Sequence, residues 1–218
     1  MELKHLQFNS PFTMMVAGPS GGAKTVLVRR ILKNHRLLIA PHNSTLSVIW
    51  AYGQWQATYN EPVENVRIQY VDGLPSQVML QESHPNVIII DDLMNELADN
   101  VRMGNLFTKG SHHMNINVIF ISQNLYHKGK QMRNINLSCH YLILMKNPRD
   151  RSQIDVLARQ MKLNKALPEA FNDATSKPFG YLLVDLKQDT PANCMLRTRI
   201  TPEETVKGVF SPIVYEQK

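Results

Sequence analysis

The sequence predicts an α/β domain in which a mainly parallel central sheet carries helices on both of its faces. Short apolar runs bounded by turn residues alternate with segments of helical periodicity, which is the pattern of strands joined by crossover helices. One of these runs, residues 87–90, consists of four aliphatic side chains, and a central parallel strand is apolar on both faces in this way.

Each predicted element follows from such a run or period. The predicted strands span residues 12–17, 46–50, 66–71, 87–90, 118–122, 141–145, 181–185 and 195–199. The predicted helices span residues 24–34, 151–161 and 165–174, and two further helices are predicted after residue 92 and around residues 103–113. The aromatic segment 53–60 is compatible with a helix. No linker divides the chain, so residues 1–218 are predicted to form one domain, with a core at about 10–200 and an irregular tail from about 201.

The composition narrows the class of protein. Of 218 residues, 43% are hydrophobic and 19% charged, so a sizeable core can be buried. The net charge of +6 permits a polyanionic partner. Cys139 and Cys194 form no C-x-x-C pair, which argues against a thiolate zinc finger or a disulfide framework. Neither a signal peptide nor a transmembrane segment is expected, because no apolar run approaches roughly 20 residues.

A glycine-rich loop separates the first predicted strand from the first predicted helix. Backbone N–H groups of such a loop and of the helix N-terminus cradle phosphate oxygens, while a lysine reaches the β- and γ-phosphates and a hydroxyl binds Mg²⁺. Lys24 and Thr25 occupy these two positions, so we expect ATP and Mg²⁺ to bind here. The predicted nucleotide-binding residues are Gly18, Pro19, Ser20, Gly21, Gly22, Ala23, Lys24, Thr25 and Val26.

Ala23 departs from the usual pattern, which has glycine before the lysine. A methyl group at this point crowds the approach of the backbone to phosphate. The methyl group is tolerable if residue 23 has a helical φ, and Gly22 can carry any left-handed angle. The departure leaves open an alternative in which the chain binds nucleotide but hydrolyses it weakly. A glycine-rich turn without a ligand is less favoured, because the loop, the Lys-Thr pair and the flanking elements agree.

Two carboxylates follow the apolar strand directly. Asp91 would reach the carboxyl edge of the sheet and bind Mg²⁺ with Thr25, and Asp92 would polarise the attacking water as general base. Gln123, after the strand at 118–122, would contact the γ-phosphate or orient water. The alternatives are that the aspartates cap the next helix and that Gln123 lies in an ordinary turn.

The spacing of these motifs indicates the subclass of fold. About 60 to 70 residues separate the phosphate loop from the acidic pair, enough for two intervening strands. We therefore expect an extra strand between the nucleotide-binding strand and the acidic strand, which is typical of a three-layer P-loop NTPase of the ASCE, RecA-like division. A small GTPase is disfavoured, because the candidate for its Asn-Lys-x-Asp motif ends in Leu167. A P-loop kinase is disfavoured by the paired carboxylates.

Several segments resemble one family when taken in order. The chain resembles the genome-packaging ATPases of Polinton/Maverick elements and related adintovirus-like viruses, within the FtsK/HerA superfamily, over about residues 10–200. The segments are the phosphate loop, Trp-Ala-Tyr-Gly-Gln-Trp-Gln at 50–56, Ile-Asp-Asp-Leu-Met at 90–94, Phe-Thr-Lys-Gly-Ser-His-His at 107–113, residues 118–124, Lys-Asn-Pro-Arg-Asp at 146–150 and Tyr-Leu-Leu-Val-Asp-Leu at 181–186.

The resemblance implies a homo-oligomeric ring of five or six subunits that pumps double-stranded DNA into a preformed viral capsid at its portal vertex. It implies a location in the virion or at a viral assembly site such as the host-cell nucleus. Lys24, Thr25, Asp91, Asp92 and Gln123 match the family positions for the roles given above.

Two basic features would complete such a motor. Arg149 is the preferred arginine finger, ahead of Arg151, with ordinary surface ion pairing as the alternative. Lys128, Lys130 and Arg133 lie in a basic segment after Gln123 and would contact DNA phosphates without reading sequence. A solvated basic loop is the alternative there.

The aromatic residues at 50–55 also admit two interpretations. Trp50, Tyr52 and Trp55 could stack on a nucleobase, but packing beside the second strand is favoured.

Overall fold

The computed structural model describes residues 6–105, 111–126, 130–204 and 210–216. The predicted α/β architecture is confirmed, since helices flank a large, mostly parallel central sheet. The strands are β1 Phe8–Asn9, β2 Thr13–Ala17, β3 Ile39–Ala40, β4 Leu46–Tyr52, β5 Val66–Asp72, β6 Val87–Asp91, β7 Asn117–Ser122, β8 Tyr141–Met145, β9 Tyr181–Asp185, β10 Leu196–Thr198 and β11 Ile213–Tyr215. The α-helices are α1 Lys24–Lys33, α2 His35–Leu38, α3 Gln77–Ser83, α4 Met94–Asp99, α5 Val101–Asn105, α6 Ser111–Met114, α7 Lys130–Ser138, α8 Ser152–Met161 and α9 Ala166–Ala174.

The central sheet has the strand order β11-β10-β9-β8-β2-β7-β6-β4-β5 within the described residues. The six strands from β8 to β5 are parallel to one another, whereas β9, β10 and β11 pair antiparallel at the other end. One strand, β7, lies between β2 and β6, as the ASCE arrangement requires. The expectation that an earlier strand fills this place was wrong, because β4 and β5 lie beyond β6 instead.

Alternate residues of the strands serve the two faces of the sheet. In β2, Met15 packs into a core with side chains of α4, α7, α8 and α9. Met14 and Val16 pack into the opposite core with α1 and α2. This division follows from the two-residue period of a strand, and it buries β2 completely, so that its carboxyl end and the loop that follows are held in place.

Other elements differ from their predicted form. The segment 53–60 contains a 3₁₀ helix at Ala57–Asn60. The helix α3 was not predicted; Ser76 caps it by accepting a hydrogen bond from the Met79 N–H at 3.1 Å. Residues 101–105 and 111–114 are helical. Residues 107–110, the first part of the Phe-Thr-Lys-Gly-Ser-His-His segment, lie outside the described residues.

The tail was predicted to be irregular, and this was wrong for the strand β11, which pairs antiparallel with β10 and extends the sheet. Within the described residues, no helix is long and apolar enough to cross a membrane.

Candidate functional site

The glycine-rich loop leaves β2 and enters α1 through positions that exclude a side chain. A Cβ on Gly18 would lie 2.7 Å from Met145 Cβ, and one on Gly22 would lie 2.9 Å from the Pro19 carbonyl oxygen. Gly21 has φ +74°, where a side chain is disfavoured. The Gly18 N–H donates to the Ser122 carbonyl at 3.1 Å, which ties the loop to β7. Each glycine therefore serves the shape of the loop.

Ala23 adopts a left-handed conformation, with φ 62° and ψ 24°. The condition that residue 23 has a helical φ is therefore not met, and Gly22 does not carry a left-handed angle in its place. Ala23 immediately precedes the first helical residue, so the reversal of the chain falls on it. A left-handed alanine costs roughly 1–2 kcal/mol, and this explains why glycine is the usual residue here.

Lys24 lies over the loop at the start of α1. Its Nζ donates hydrogen bonds to the carbonyl oxygens of Gly18 at 2.7 Å and Pro19 at 2.9 Å. Burial lowers the pKa of the Lys24 ammonium below its usual value, and the charges of Asp91 and Asp92 oppose this shift. The ammonium is thus half-buried near both carboxylates, where it can neutralise phosphate charge.

Asp91 ends β6 and is buried beside the N-terminus of α1. Three side chains converge on its Oδ2 atom: the Tyr59 hydroxyl donates at 2.7 Å, the Trp50 Nε1–H at 3.3 Å, and the Thr25 hydroxyl lies 3.4 Å away. Burial raises the pKa of the Asp91 carboxyl, while the hydrogen bonds from Tyr59 and Trp50 and the charge of Lys24 oppose the shift. Two aromatic donors therefore hold a buried carboxylate in a fixed orientation.

The pair of Thr25 and Asp91 suits Mg²⁺. A hydroxyl and a carboxylate are oxygen ligands of the kind this cation prefers, and adjacent ligands of an octahedral Mg²⁺ at 2.0–2.1 Å lie about 2.9 Å apart. The observed separation of 3.4 Å between Thr25 Oγ1 and Asp91 Oδ2 needs a small adjustment to meet this geometry. Triphosphate oxygens would complete the ligand set.

Asp92 and Gln123 meet at the same edge of the sheet. The Gln123 Nε2 donates to Asp92 Oδ1 at 3.3 Å, and both residues are exposed. Asp92 has φ 58°, a left-handed angle that aspartate and asparagine tolerate better than most residues. The chain reversal turns the side chain of Asp92 to a different environment from that of buried Asp91, so the two carboxylates are suited to different tasks.

These groups line one open cavity of about 580 Å³. The loop and α1 contribute residues 20–26, the carboxyl ends of β6 and β7 contribute Asp91, Asp92 and Gln123, and the segment after β4 contributes Gln54, Trp55, Gln56 and Thr58. The cavity volume lies within the range of small-molecule sites. The structure therefore brings the predicted nucleotide, metal and general-base residues of the loop, β6 and β7 together.

Sequence reasoning missed Tyr59 altogether and, for Trp50, favoured packing over stacking on a nucleobase. Trp50 is fully buried, as expected, but its indole N–H also contacts Asp91. Tyr59 lies 32 residues before Asp91, and no local pattern joins the two. The cluster of aromatic residues at 50–59 was the available signal.

The other predicted residues lie elsewhere. Arg149 is exposed in the turn after β8, and within the described residues no hydrogen bond or ion pair holds its guanidinium. Arg151 donates to Asn172 Oδ1 at 2.6 Å. Arg133 is exposed on α7, so this part of the basic segment is helical and is not a loop. Lys128 lies outside the described residues, and Lys130 begins α7.

Solved structures share this fold. The DNA-packaging ATPase B204 from Sulfolobus turreted icosahedral virus has a TM-score of 0.57 and 14% identity, over 88% of this chain and 98% of that chain. The genome packaging NTPase B204 from Sulfolobus turreted icosahedral virus 2 has, in complex with ATPγS, a TM-score of 0.54 and 13% identity, over 80% and 92%. Its sulfate complex has a TM-score of 0.53 and 12% identity, over 80% and 91%.

At these identities the likeness shows the fold, that of the P-loop NTPases, and not the activity. No family model matches the chain, and no curated protein matches it in sequence.

Proposed function

We propose that this chain is an ATPase that drives double-stranded DNA into a viral capsid as a subunit of an oligomeric ring. The observation that carries the ATPase part is the convergence of Lys24, Thr25, Asp91, Asp92 and Gln123 on one cavity beside a phosphate loop. A site that only bound ATP would not need Asp92, a second and exposed carboxylate. Asp92 accepts a hydrogen bond from Gln123 at the place where the γ-phosphate would lie.

The chain's own residues divide the reaction between them. Loop N–H groups and Lys24 bind and orient the triphosphate, and Thr25 and Asp91 would hold Mg²⁺, which supplies charge neutralisation on the phosphate oxygens when it is bound. Asp92 takes the proton of the attacking water, and Gln123 holds Asp92 and the water in line. Trp50 and Tyr59 keep Asp91 in its orientation.

The packaging role rests on independent support. The fold neighbours include a DNA-packaging ATPase and a genome packaging NTPase of two Sulfolobus viruses. The net charge of +6 and the exposed Arg133 on α7 suit a partner of repeating phosphates. Placement in the Polinton or adintovirus-like group of the FtsK/HerA superfamily, a portal-vertex partner and a viral assembly site follow from the resemblance and form part of the proposal.

The ring is proposed because Lys24 is the one cationic side chain among the described residues that line the cavity, so a second cation for the transferred phosphate would have to come from a neighbouring subunit. Arg149 is exposed, and within the described part of the chain its guanidinium makes no hydrogen bond or ion pair, so we propose that each subunit supplies this group to its neighbour. An arginine finger of this kind is worth about 10³–10⁵ in rate.

The central experiment measures ATP hydrolysis by the full chain over a range of protein concentrations, with and without double-stranded DNA. We expect activity per subunit to rise with concentration, because the shared site forms on assembly, and to rise further with DNA. Release of inorganic phosphate distinguishes hydrolysis from transfer to an acceptor. Turnover that changes with neither concentration nor DNA would remove the ring and the DNA track from the proposal.

A second candidate is a nucleotide-binding subunit with weak hydrolysis, and the left-handed Ala23 is the observation that favours it. Replacing Ala23 by Gly tests this. We expect the melting temperature to rise by about 2–4 °C, because about 1 kcal/mol of left-handed strain is removed. We expect hydrolysis to keep its order of magnitude, because the loop already has the conformation that glycine would adopt.

Ala98→Gly is the matched control for this experiment. Ala98 lies inside α4, where glycine is unfavourable relative to alanine by roughly 0.5–1 kcal/mol. The melting temperature of the Ala98→Gly variant should therefore fall. The second candidate would be established instead if the natural protein hydrolysed almost no ATP and Ala23→Gly restored hydrolysis.

A further inference from the structure

A second large cavity, of about 660 Å³, adjoins the phosphate loop and is lined by Met145 of β8 and Tyr181 of β9, which lie on the opposite side of β2 from β7 and β6. It is lined by α1, the turn at 176–180, and the ends of β9, β10 and β11. Ala23 and Val26 line both this cavity and the one that holds the catalytic carboxylates. The two cavities therefore meet at the first turn of α1.

We propose that this second cavity binds the purine nucleoside part of the nucleotide, an inference that rests on the proposed ATPase function. The direction of the bound triphosphate carries the argument. Its terminal phosphate must lie beside Asp92 and Gln123, which are on one side of the loop. The nucleoside is attached at the opposite end of the triphosphate, so it leaves the loop past Ala23 and Val26 and enters the second cavity.

The walls of this cavity suit a nucleobase. Phe179 is 66% exposed on the turn at 176–180, and its backbone has φ 59°. A bulky aromatic residue with a left-handed backbone and an exposed side chain gains little from packing. The exposed face of its ring can instead stack on a base. A Cβ on the next residue, Gly180, would lie 2.3 Å from the Ala174 carbonyl oxygen, so the turn that presents Phe179 is tightly constrained.

The polar groups of the cavity are compatible with a sugar and base. Tyr215 Oη donates to Asp173 Oδ2 at 2.6 Å, which fixes the rim formed by β11 against α9. Arg30 on α1 and Arg199 after β10 contribute cationic donors to the lining. The cavity is within the volume range of nucleotide-sized sites.

Trp55 offers the competing location, because it is 47% exposed and lines the phosphate cavity. It lies, however, on the side of Asp91 and Asp92, where the terminal phosphate is placed. A base stacked on Trp55 would require the nucleotide to run in the opposite direction, with its γ-phosphate away from both carboxylates.

The test compares the affinities of the full chain for ATP and for inorganic triphosphate, measured by calorimetry with Mg²⁺. Phe179→Ala is expected to weaken ATP binding about tenfold or more and to leave triphosphate binding unchanged, since base–aromatic stacking is lost and the phosphate contacts are kept. Trp55→Ala, the matched exposed aromatic, is expected to change both affinities by the same factor. Leu137→Ala, equally exposed on α7, is expected to change neither.

The outcomes separate this inference from its premise. Equal ATP affinity in Phe179→Ala and the natural protein, or a loss confined to ATP in Trp55→Ala, would overturn the nucleoside site while the ATPase proposal stands. A natural protein that binds neither ATP nor triphosphate would overturn both. Because Phe179 is exposed on a turn, its removal leaves both hydrophobic cores intact.

Discussion

Lys24→Ala is expected to lower ATP hydrolysis by at least about 10²–10³. The ammonium lies half-buried over the phosphate loop, within reach of the Gly18 and Pro19 carbonyls and near both aspartates. In the nucleotide complex the same group is the charge that meets the β- and γ-phosphates. Loss of a charge-assisted hydrogen bond of about 1.5–3 kcal/mol should also weaken ATP binding by about 10–100-fold.

Phosphate release and calorimetric ATP affinity measure the two effects. Lys33→Ala is the matched control, because Lys33 lies at the end of the same helix and pairs with Glu203 at 3.2 Å, away from the cavity. Its turnover should equal that of the natural protein. The melting temperature of Lys24→Ala should stay close to the natural value, because the cost of burying the ammonium, which lowers its pKa, offsets the two hydrogen bonds that it donates to loop carbonyls. Full turnover in Lys24→Ala would exclude the loop as the phosphate site.

The positions of the candidate catalytic residues could be predicted because each follows a strand or loop with a strong local signature. Asp91 follows four aliphatic residues, and Lys24 follows a glycine-rich turn. Parallel strands direct their carboxyl ends to one edge of the sheet whatever their order. Residues at those ends are therefore brought together even where the order of strands is mispredicted.

The order itself could not be predicted from the chain. β7 lies between β2 and β6 although it follows β6 in sequence, whereas β4 and β5, which precede β6, lie beyond it. A crossover connection can reach past a neighbouring strand, so spacing limits the number of strands without placing them. The spacing thus correctly predicted one strand between β2 and β6, but that strand is β7 and not one of the strands that precede β6.

Two features of the site depend on contacts that no local pattern encodes. The Tyr59–Asp91 hydrogen bond joins a 3₁₀ helix to the end of β6 across 32 residues. The left-handed angle of Ala23 results from the geometry of the turn into α1, and it opposes the intrinsic preference of alanine. Local propensity is a poor guide at both places because tertiary geometry determines them.

Asp92→Asn is expected to reduce turnover by about 10²–10⁴ while ATP binding is kept. The amide has nearly the same shape as the carboxylate and tolerates the left-handed φ of 58° equally well, so the backbone and the contact with Gln123 can be retained. What is lost is the group that accepts a proton from water. Removal of a negative charge beside the triphosphate should leave ATP affinity unchanged or slightly higher.

Asp72→Asn makes the same chemical change at the carboxyl end of β5, in an exposed position outside the cavity, and its turnover should be unaffected. Single-turnover phosphate release at saturating ATP isolates the chemical step from binding. If Asp92→Asn hydrolyses ATP at the natural rate, Asp92 is not the base. The proton of the attacking water would then have to pass to another group of the cavity. Asp91 is not suited to accept it, because Trp50 and Tyr59 already donate hydrogen bonds to its Oδ2 atom, so the paired-carboxylate mechanism would no longer describe this site.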